Sequence, residues 1–349
     1  MRKLLSLLIL AWAGMLMCCL LISSLSAPNP SSPVDLTGEQ ARLRQELKAS
    51  GFKIVYESNR DGNWELYLMD AEGSNPVNLT RTPNVDEMYP HASPDGRKIC
   101  FVADEVYQTP QGEKKIRNVY YMNIEGGGRT KVAENARQPC WSPDGTAIAY
   151  TMGKSTKYTT LDYATRGIFI YDLKTGQTRQ IPNKSIMHAY NIAWSPDGKW
   201  FAYTVHKAMG FGHAIVVMDV EGERIYPLNI GGCRPDWSPD GRRLAWVLAD
   251  DKIALADFDP ERCRPGAPMP VRLENQRVVI RAPGKKMEVY HPDWSPDGKY
   301  IAFSYGQGEE MVGRTGTWDI YVARASGGPW VRLTRDGKNN KEPDWVSRQ

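Results

Sequence analysis

Long runs of basic residues are absent from the sequence, and the two signs of charge are nearly balanced. The 349 residues include 44 lysines and arginines against 40 aspartates and glutamates, which gives a net charge of +4. A nucleic-acid-binding protein usually carries a basic patch or stripe. The composition therefore argues against nucleic acid as a partner.

Sequence motifs of common catalytic sites are missing as well. The chain has no Gly-x-Ser-x-Gly elbow followed by an α/β segment, and no glycine-rich phosphate loop that leads into a helix. None of the four cysteines beyond the N-terminal segment has the spacing of a metal site. We therefore predict a protein that is not an enzyme and that has no cofactor and no metal site.

The N-terminal residues predict export. Arg2 and Lys3 precede an almost continuously apolar run from Leu4 to Ile22, and small residues follow as far as Ala27. This pattern is typical of a secretory signal peptide, and the run is also long enough for a retained membrane anchor. Cys18 and Cys19 add lipidation as a third interpretation. We assign residues 1–27 to a signal peptide or membrane anchor, and we expect the remainder to be periplasmic or extracytoplasmic, with membrane contact only through this segment.

Cysteine is scarce in the remainder of the chain. Cys100 and Cys140 lie in apolar strand patterns, which predicts that they are small core residues. Because exported proteins can form disulfides, a bridge between Cys233 and Cys263 remains an alternative.

A tether and one short helix come next, over residues 28–52. The prolines and serines of residues 28–34 are typical of a flexible linker. Thr37 and Gln40 have the spacing of a capping box, and Gly51 is a suitable residue to end a helix. The sequence therefore predicts a helix over about 37–49.

A repeat of about 50 residues dominates the rest of the chain. Trp-Ser-Pro-Asp-Gly occurs at residues 141–145, 194–198, 237–241 and 294–298, and Ala92 replaces the tryptophan in a fifth copy. Ser-Pro-Asp-Gly is typical of a tight turn, and an alternating strand such as 301–304 follows each copy. An innermost strand before the turn and two further strands after the alternating one complete each unit. The repeat therefore predicts a four-stranded propeller blade.

The ends of the repeat region complement each other. The region begins near Lys53 with a blade that lacks its innermost strand, and Pro343-Asp344-Trp345 is an innermost strand without a blade. We predict an all-β, six-bladed β-propeller over residues 53–349, closed by the C-terminal strand. The recurring tryptophans are expected to pack between blades.

These units resemble the TolB-like propeller repeat, with its Pro-x-Trp-Ser-Pro-Asp-Gly-(Lys/Arg)-x-Ile-Ala-Phe pattern. Residues 58–70 and 292–303 carry the similarity most clearly, and it covers roughly residues 53–349. TolB proteins are periplasmic, and their propellers bind other proteins of the Tol–Pal envelope system. True TolB has a substantial α/β domain before the propeller, whereas this sequence offers only the helix near 37–49. The resemblance therefore implies an envelope location and an envelope protein or peptide as partner.

One face of the predicted propeller is the variable one. Its loops between second and third strands cover residues 104–117, 153–166, 206–213 and 305–316. Six residues are expected at the channel mouth on this face: Tyr89, Gln138, Asn191, Arg234, His291 and Glu342. Further into the channel we expect His91, Cys140, Asp236, Asp293 and Asp344. Mixed charge with aromatic side chains is typical of surfaces that bind peptides or glycans.

Two hypotheses follow for this face. The first is a non-catalytic module that binds a protein or peptide, for which charge reversal at Arg234 or Tyr89→Ala should abolish partner capture at little cost in stability. The second is a propeller that binds or cleaves polysaccharides. For it, His91 and His291 would face one channel beside the three aspartates and could hold a metal.

Overall fold

The computed structural model describes residues 37–110, 112–154, 161, 163–284, 286–308 and 316–348. One helix, α1 (Gly38–Ser50), precedes the strands. The first twelve strands are β1 (Lys53–Ser58), β2 (Glu65–Asp70), β3 (Val77–Asn78), β4 (Asp86–Ala92), β5 (Lys98–Thr109), β6 (Gly112–Asn123), β7 (Thr130–Ala133), β8 (Ala136–Trp141), β9 (Ala147–Gly153), β10 (Thr165–Asp172), β11 (Thr178–Gln180) and β12 (Ala189–Trp194). The other twelve are β13 (Trp200–Ala208), β14 (Phe211–Asp219), β15 (Ile225–Pro227), β16 (Cys233–Trp237), β17 (Arg243–Ala249), β18 (Lys252–Asp257), β19 (Glu274–Arg281), β20 (Glu288–Trp294), β21 (Tyr300–Gln307), β22 (Thr317–Arg324), β23 (Val331–Arg332) and β24 (Asn340–Val346).

These strands form six antiparallel four-stranded sheets, which are the blades of a propeller. Blade 1 has the order β24-β1-β2-β3, and blades 2 to 6 are β4–β7, β8–β11, β12–β15, β16–β19 and β20–β23. The predicted six-bladed fold is thereby confirmed. Closure is confirmed as well, because Trp345 of β24 pairs with Ile54 of β1. A ring closed in this way leaves no inner strand edge unpaired.

The Ser-Pro-Asp-Gly turns are built alike in all five copies. In each, the serine hydroxyl donates to the aspartate two residues on and accepts the N–H of the residue five positions on, as in Ser142 with Asp144 and Ala147. The fourth position has a positive φ of 68° to 74°, and glycine occupies it every time. The turn therefore needs glycine for its backbone and serine and aspartate for its hydrogen bonds.

Helix α1 begins and ends as its sequence predicts. Thr37 forms the capping box with Gln40, and Gly51 adopts the left-handed conformation after the last turn. Leu43 and Leu47 are fully buried in one apolar cluster with blade 6 and blade 1 residues. The helix is therefore part of the propeller's own packing.

The tryptophans of the repeat pack at the junctions between blades, as predicted. The indole N–H of Trp141 donates to the His91 carbonyl of the preceding blade, and Trp237 and Trp345 bond the preceding blade in the same way.

Three expectations need correction or fall outside the description. No disulfide joins any of the four described cysteines, and Cys233 and Cys263 pack in different apolar clusters. Residues 104–117 and 206–213 are not irregular loops, because β5–β6 and β13–β14 continue as paired strands across most of both stretches. Further predictions fall on residues that the structure does not describe. They are the assignment of residues 1–27, the tether at 28–34 and most of the residues in the expected loops at 153–166 and 305–316. Within the described part, no helix has the length and hydropathy of a membrane span.

Candidate binding site in the central channel

A cavity of about 110 Å³ lies where the six innermost strands meet. Its lining includes ten of the eleven residues expected from the sequence, all but Cys140: Tyr89, His91, Gln138, Asn191, Arg234, Asp236, His291, Asp293, Glu342 and Asp344. Five prolines and two apolar residues complete the lining: Pro90, Pro139, Pro235, Pro292, Pro343, Ile192 and Ala193. The predicted residues are therefore brought together, although this proximity does not by itself make them a binding site.

Six of these residues, one from each blade, have a left-handed backbone. We call them the left-handed ring, and their φ values lie between 43° and 57°: Tyr89, Gln138, Asn191, Arg234, His291 and Glu342. Such a conformation costs about 1–2 kcal/mol for a residue with a side chain, and only asparagine tolerates it readily. All six innermost strands also lose register with the second strand at this point, as in β4 between Met88 and His91.

The left-handed backbone aims N–H groups at the preceding blade. The N–H of Tyr89 donates to Glu57 at 3.0 Å, and that of Arg234 donates to Thr204 at 3.0 Å. The N–H of Glu342 likewise donates to the Ser304 hydroxyl at 3.2 Å. These bonds give buried backbone donors the partners that the interrupted ladder no longer supplies.

Charged side chains of the left-handed ring occupy blades 5, 6 and 1. Glu342 lies between Arg234, whose guanidinium is 2.9 Å from its carboxylate, and His291, whose Nε2 is 2.8 Å from the same oxygen. The Ser304 hydroxyl is 3.0 Å from Nδ1 of His291 and so fixes the orientation of the imidazole. The Arg234 guanidinium also faces the ring of Tyr290. This side of the channel is therefore held in one arrangement by the Arg234–Glu342 ion pair and the contacts of His291.

Neutral amide side chains occupy blades 3 and 4. The Gln138 side-chain oxygen accepts the N–H of Asn191 at 2.8 Å. The Gln138 amide nitrogen and the Asn191 side-chain oxygen are buried and have no hydrogen-bond partner among the described residues. Two residues of the cavity lining therefore offer an unpaired N–H donor and an unpaired oxygen acceptor. These two groups complement the C=O and the N–H of a peptide group.

A second set of six residues, of which all but Cys140 line the cavity, lies at the joints between blades. We call them the acceptor ring; they stand directly before the tryptophan position of each repeat: His91, Cys140, Ala193, Asp236, Asp293 and Asp344. Asp236 accepts the backbone N–H of Trp294 at 2.9 Å, and Asp293 accepts that of Trp345 at 2.7 Å. Asp344 accepts the N–H of Ala92 at 2.8 Å, at the copy that lacks tryptophan. Each bond crosses from one blade to the following blade.

The acceptor ring continues through the other blades with different chemistry. Nδ1 of His91 accepts the N–H of Trp141 at 3.4 Å, and Cys140 takes a hydrogen bond from the Trp194 backbone. Ala193 has no side-chain acceptor, and here Asp236 bonds the N–H of Trp237 within its own blade at 2.8 Å. No side chain of the acceptor ring therefore bonds blade 4 to blade 5, and the N–H of Trp237 finds its acceptor within blade 5 instead.

Burial changes the protonation of the acceptor ring. Burial raises the pKa of Asp236 to about 7 and that of Asp344 to about 8, and neighbouring carboxylates add to both increases. Burial and the charges of Asp344 and Asp236 raise the pKa of Asp293 well above its usual range. Burial lowers the pKa of His91. The three aspartates therefore carry less negative charge near neutral pH than three exposed carboxylates would.

The arrangement does not bring a metal-ligand set together within the described residues. No group of three or more His, Cys, Asp or Glu side chains there has the geometry to hold an ion. His91 and His291 both line the cavity, but His291 is engaged with Glu342 and Ser304. Nε2 of His91 lies 3.9 Å from the nearest oxygen of Asp344.

The sequence places the two rings at different depths of one binding channel, and the structure shows that they also differ in their contacts. Three residues that hold the left-handed ring from the neighbouring blades were not predicted: Glu57, Thr204 and Ser304. The spacing of the repeat contained no signal for these three. The acceptor ring did have one, because an aspartate stands directly before tryptophan in three copies.

Comparisons with known proteins agree on the fold. No protein-family model matches the chain. A TolB homolog of Chlorobaculum tepidum is 32% identical over 142 residues, which cover 36% of this chain and 29% of the relative. Dipeptidyl-peptidase 5 of Porphyromonas gingivalis is 24% identical over 312 residues, which cover 73% of this chain and 42% of the relative. The crystal structure of TolB from Acinetobacter baumannii superimposes with a TM-score of 0.61 at 20% identity, covering 85% of this chain and 67% of that one. The match spans less than half the length of each of the two relatives.

Proposed function

We propose that this chain, a TolB-like six-bladed β-propeller, is an exported, non-catalytic module that binds a protein or peptide of the cell envelope at its central channel. The similarity to TolB proteins and the apolar N-terminal sequence support an envelope location. The peptide would contact the left-handed ring.

The observation that carries this proposal is a contrast between two positions of positive φ. At the fourth position of the Ser-Pro-Asp-Gly turn, all five copies have glycine. At the left-handed ring, none of the six copies has glycine, although glycine would remove the strain. Six unlike side chains instead converge on one cavity. A strained backbone conformation that recurs at equivalent positions with different side chains is typical of a recognition site.

The chemistry of the ring suits a polar peptide segment. The unpartnered groups of Gln138 and Asn191 can bond the C=O and the N–H of a peptide group. The pair of Arg234 and Glu342 on the opposite side offers both signs of charge to flanking side chains. A single segment that enters the channel would meet both sides.

Arg234 is buried, which limits the substitutions that can test this proposal without unfolding the protein. Reversing its charge alone would place two carboxylates together in a buried position, so our sequence-based expectation of little stability loss is wrong for that variant. Tyr89 is buried as well, so Tyr89→Ala would also leave a cavity. The informative variant is the exchange Arg234→Glu with Glu342→Arg, which keeps an ion pair and reverses its direction. The exposed pair Lys53–Asp70 on the outer part of blade 1 gives a matched exchange as control.

Affinity capture from envelope extract would then compare the wild type with both exchanges. We expect one stoichiometric envelope protein that the wild type and the Lys53–Asp70 exchange retain and the Arg234–Glu342 exchange loses. Equal retention by all three, at matched melting temperatures, would contradict a role of the channel. Because one relative is named a dipeptidyl-peptidase, dipeptide release would be assayed in parallel, and turnover by the purified chain would contradict a non-catalytic function. Retention of uronic-acid oligomers in place of a protein would favour the polysaccharide hypothesis.

A further inference from the structure

A second recess lies away from the channel, between blades 3 and 4 on the side of the Ser-Pro-Asp-Gly turns. It encloses about 680 Å³. We call it the 3/4 groove. Its walls are the turns at 142–144 and 196–198 and the ends of β9, β10 and β11, and Trp194 lies among them. Ile170 and Ala147 contribute the other apolar surface.

Trp194 differs from its counterparts in other blades. Its indole N–H donates to the Gly198 carbonyl of its own turn, whereas those of Trp141 and Trp237 donate to the preceding blade. Trp194 is half-buried, and the four other repeat tryptophans are buried. The turned indole therefore leaves apolar surface open at this junction.

The equivalent groove at the junction of blades 6 and 1 is filled by α1. There, Leu43 and Leu47 pack with Tyr300, Val322 and Trp345. Strand register makes Ala147, Ile170 and Trp194 the counterparts of Tyr300, Val322 and Trp345, respectively. The protein thus already contains one helix in a groove of this kind, and the 3/4 groove has a smaller residue, Ala147, where the filled groove has Tyr300.

The charges of the two grooves are opposite. Glu46 of α1 forms two hydrogen bonds with Arg324, which pairs with Tyr300 in the sheet. In the 3/4 groove the same register position is Asp172, which pairs with Ala147. Two further carboxylates, Asp144 and Asp197, line this groove against one cation, Arg179. Hydrogen bonds from Thr175 hold the pKa of Asp172 below its usual value, so this carboxylate is charged.

We propose that the 3/4 groove docks a basic amphipathic helix of a partner protein. The helix would place apolar side chains against Trp194 and Ile170, as α1 places Leu43 and Leu47 in the filled groove. A lysine or arginine would stand where α1 has Glu46 and would pair with Asp172. This interface is separate from the channel, and it does not depend on the function proposed above.

The chain itself supplies a probe. A labelled synthetic peptide of residues 37–51 with Glu46→Lys has the required apolar side and the required charge. The same substitution disfavours the filled groove, because lysine would face Arg324 there. We expect saturable binding to the full chain, about fivefold tighter than that of the unsubstituted peptide, because the lysine attracts the exposed Asp172 carboxylate whereas glutamate does not.

Three variants of the protein test where the peptide binds. Asp172→Asn keeps an acceptor for the Thr175 N–H and should weaken binding about fivefold. Asp172→Lys reverses the charge at this position and should reverse the order, so that the unsubstituted peptide binds more tightly than the Glu46→Lys peptide. Asp219→Asn, at the same register position of blade 4, should leave binding unchanged, because Trp200, Tyr226 and Phe258 pack at the groove beside it.

Equal affinity for both peptides, or equal loss with Asp172→Asn and Asp219→Asn, would overturn the proposal. No saturable binding up to the millimolar range would overturn it too. Should Asp172→Lys fail to fold by circular dichroism, the contrast between Asp172→Asn and Asp219→Asn still decides.

Discussion

The left-handed ring and the acceptor ring lie two residues apart on the same six strands, yet they differ in what their side chains do. Five of the six members of the acceptor ring accept a backbone N–H of the next blade, and three of them are aspartates: Asp236, Asp293 and Asp344. Members of the left-handed ring use their backbone N–H groups for joining blades and present their side chains to the cavity. A propeller can therefore vary its channel chemistry at one position while the adjacent position holds the ring together.

The largest expected effect that separates the rings is a dependence of stability on pH. The raised pKa values of Asp236, Asp293 and Asp344 mean that the folded state keeps protons that the unfolded state releases near pH 4. The contribution of these groups to the free energy of unfolding is complete below about pH 4 and falls as the pH rises towards 8. Urea denaturation at pH 5, 6, 7 and 8 measures this decline.

The variant Asp344→Asn serves as the control for that measurement. An asparagine oxygen can still accept the Ala92 N–H, while the titrating carboxyl is gone. We expect a flatter dependence on pH, with higher stability than the wild type at pH 8. A slope equal to that of the wild type would show that the carboxyls of the acceptor ring do not titrate in this range.

A smaller effect is expected when one inter-blade bond is removed. Asp293→Ala leaves the buried N–H of Trp345 without an acceptor, which should lower the free energy of unfolding by about 2 kcal/mol. Asp293→Asn keeps the acceptor and should be close to the wild type. If both variants lose the same stability, the loss comes from packing and not from the bond between blades 6 and 1.

The smallest effect is expected in the left-handed ring. Asn191→Gly removes a side chain at φ 49° and relieves strain, so its stability should stay within about 0.5 kcal/mol of the wild type. Asn191→Ala should cost about 1 kcal/mol, because alanine tolerates this conformation less well than asparagine or glycine. Thermal denaturation of the two variants compares them directly. A glycine variant less stable than the alanine variant would contradict the strain that we assign to this ring.

Local sequence signals were sufficient to predict the blades, their number and their closure. The Ser-Pro-Asp-Gly turn makes its hydrogen bonds within about five residues, so its pattern is visible in the sequence, as in Ser142 with Ala147. The capping box of Thr37 is equally local. The incomplete repeats at the two ends sufficed to predict the pairing of β24 with β1.

The different contacts of the left-handed ring and the acceptor ring could not be predicted in the same way. Asp293 and the backbone of Trp345 are 52 positions apart in the chain, and only the angle between blades brings them into contact. Trp194 is followed by the same Ser-Pro-Asp-Gly turn as the tryptophans at 141, 237 and 294, and its turned indole follows from packing. One difference that marks the 3/4 groove is visible in the sequence once the repeats are aligned by strand register. A small residue, Ala147, stands where blade 6 has Tyr300.

The pairing of β24 with β1 also sets the order in which this molecule can fold. Every other blade is built from consecutive strands, but blade 1 needs residues from both ends of the propeller. Until β24 arrives, β1 exposes an unpaired inner edge, and such edges recruit other chains. Contacts between distant parts of a sequence form slowly. A chain that leaves the ribosome or a membrane channel N-terminus first therefore carries an aggregation-prone edge for nearly its whole synthesis or passage, and blade 1 is completed last.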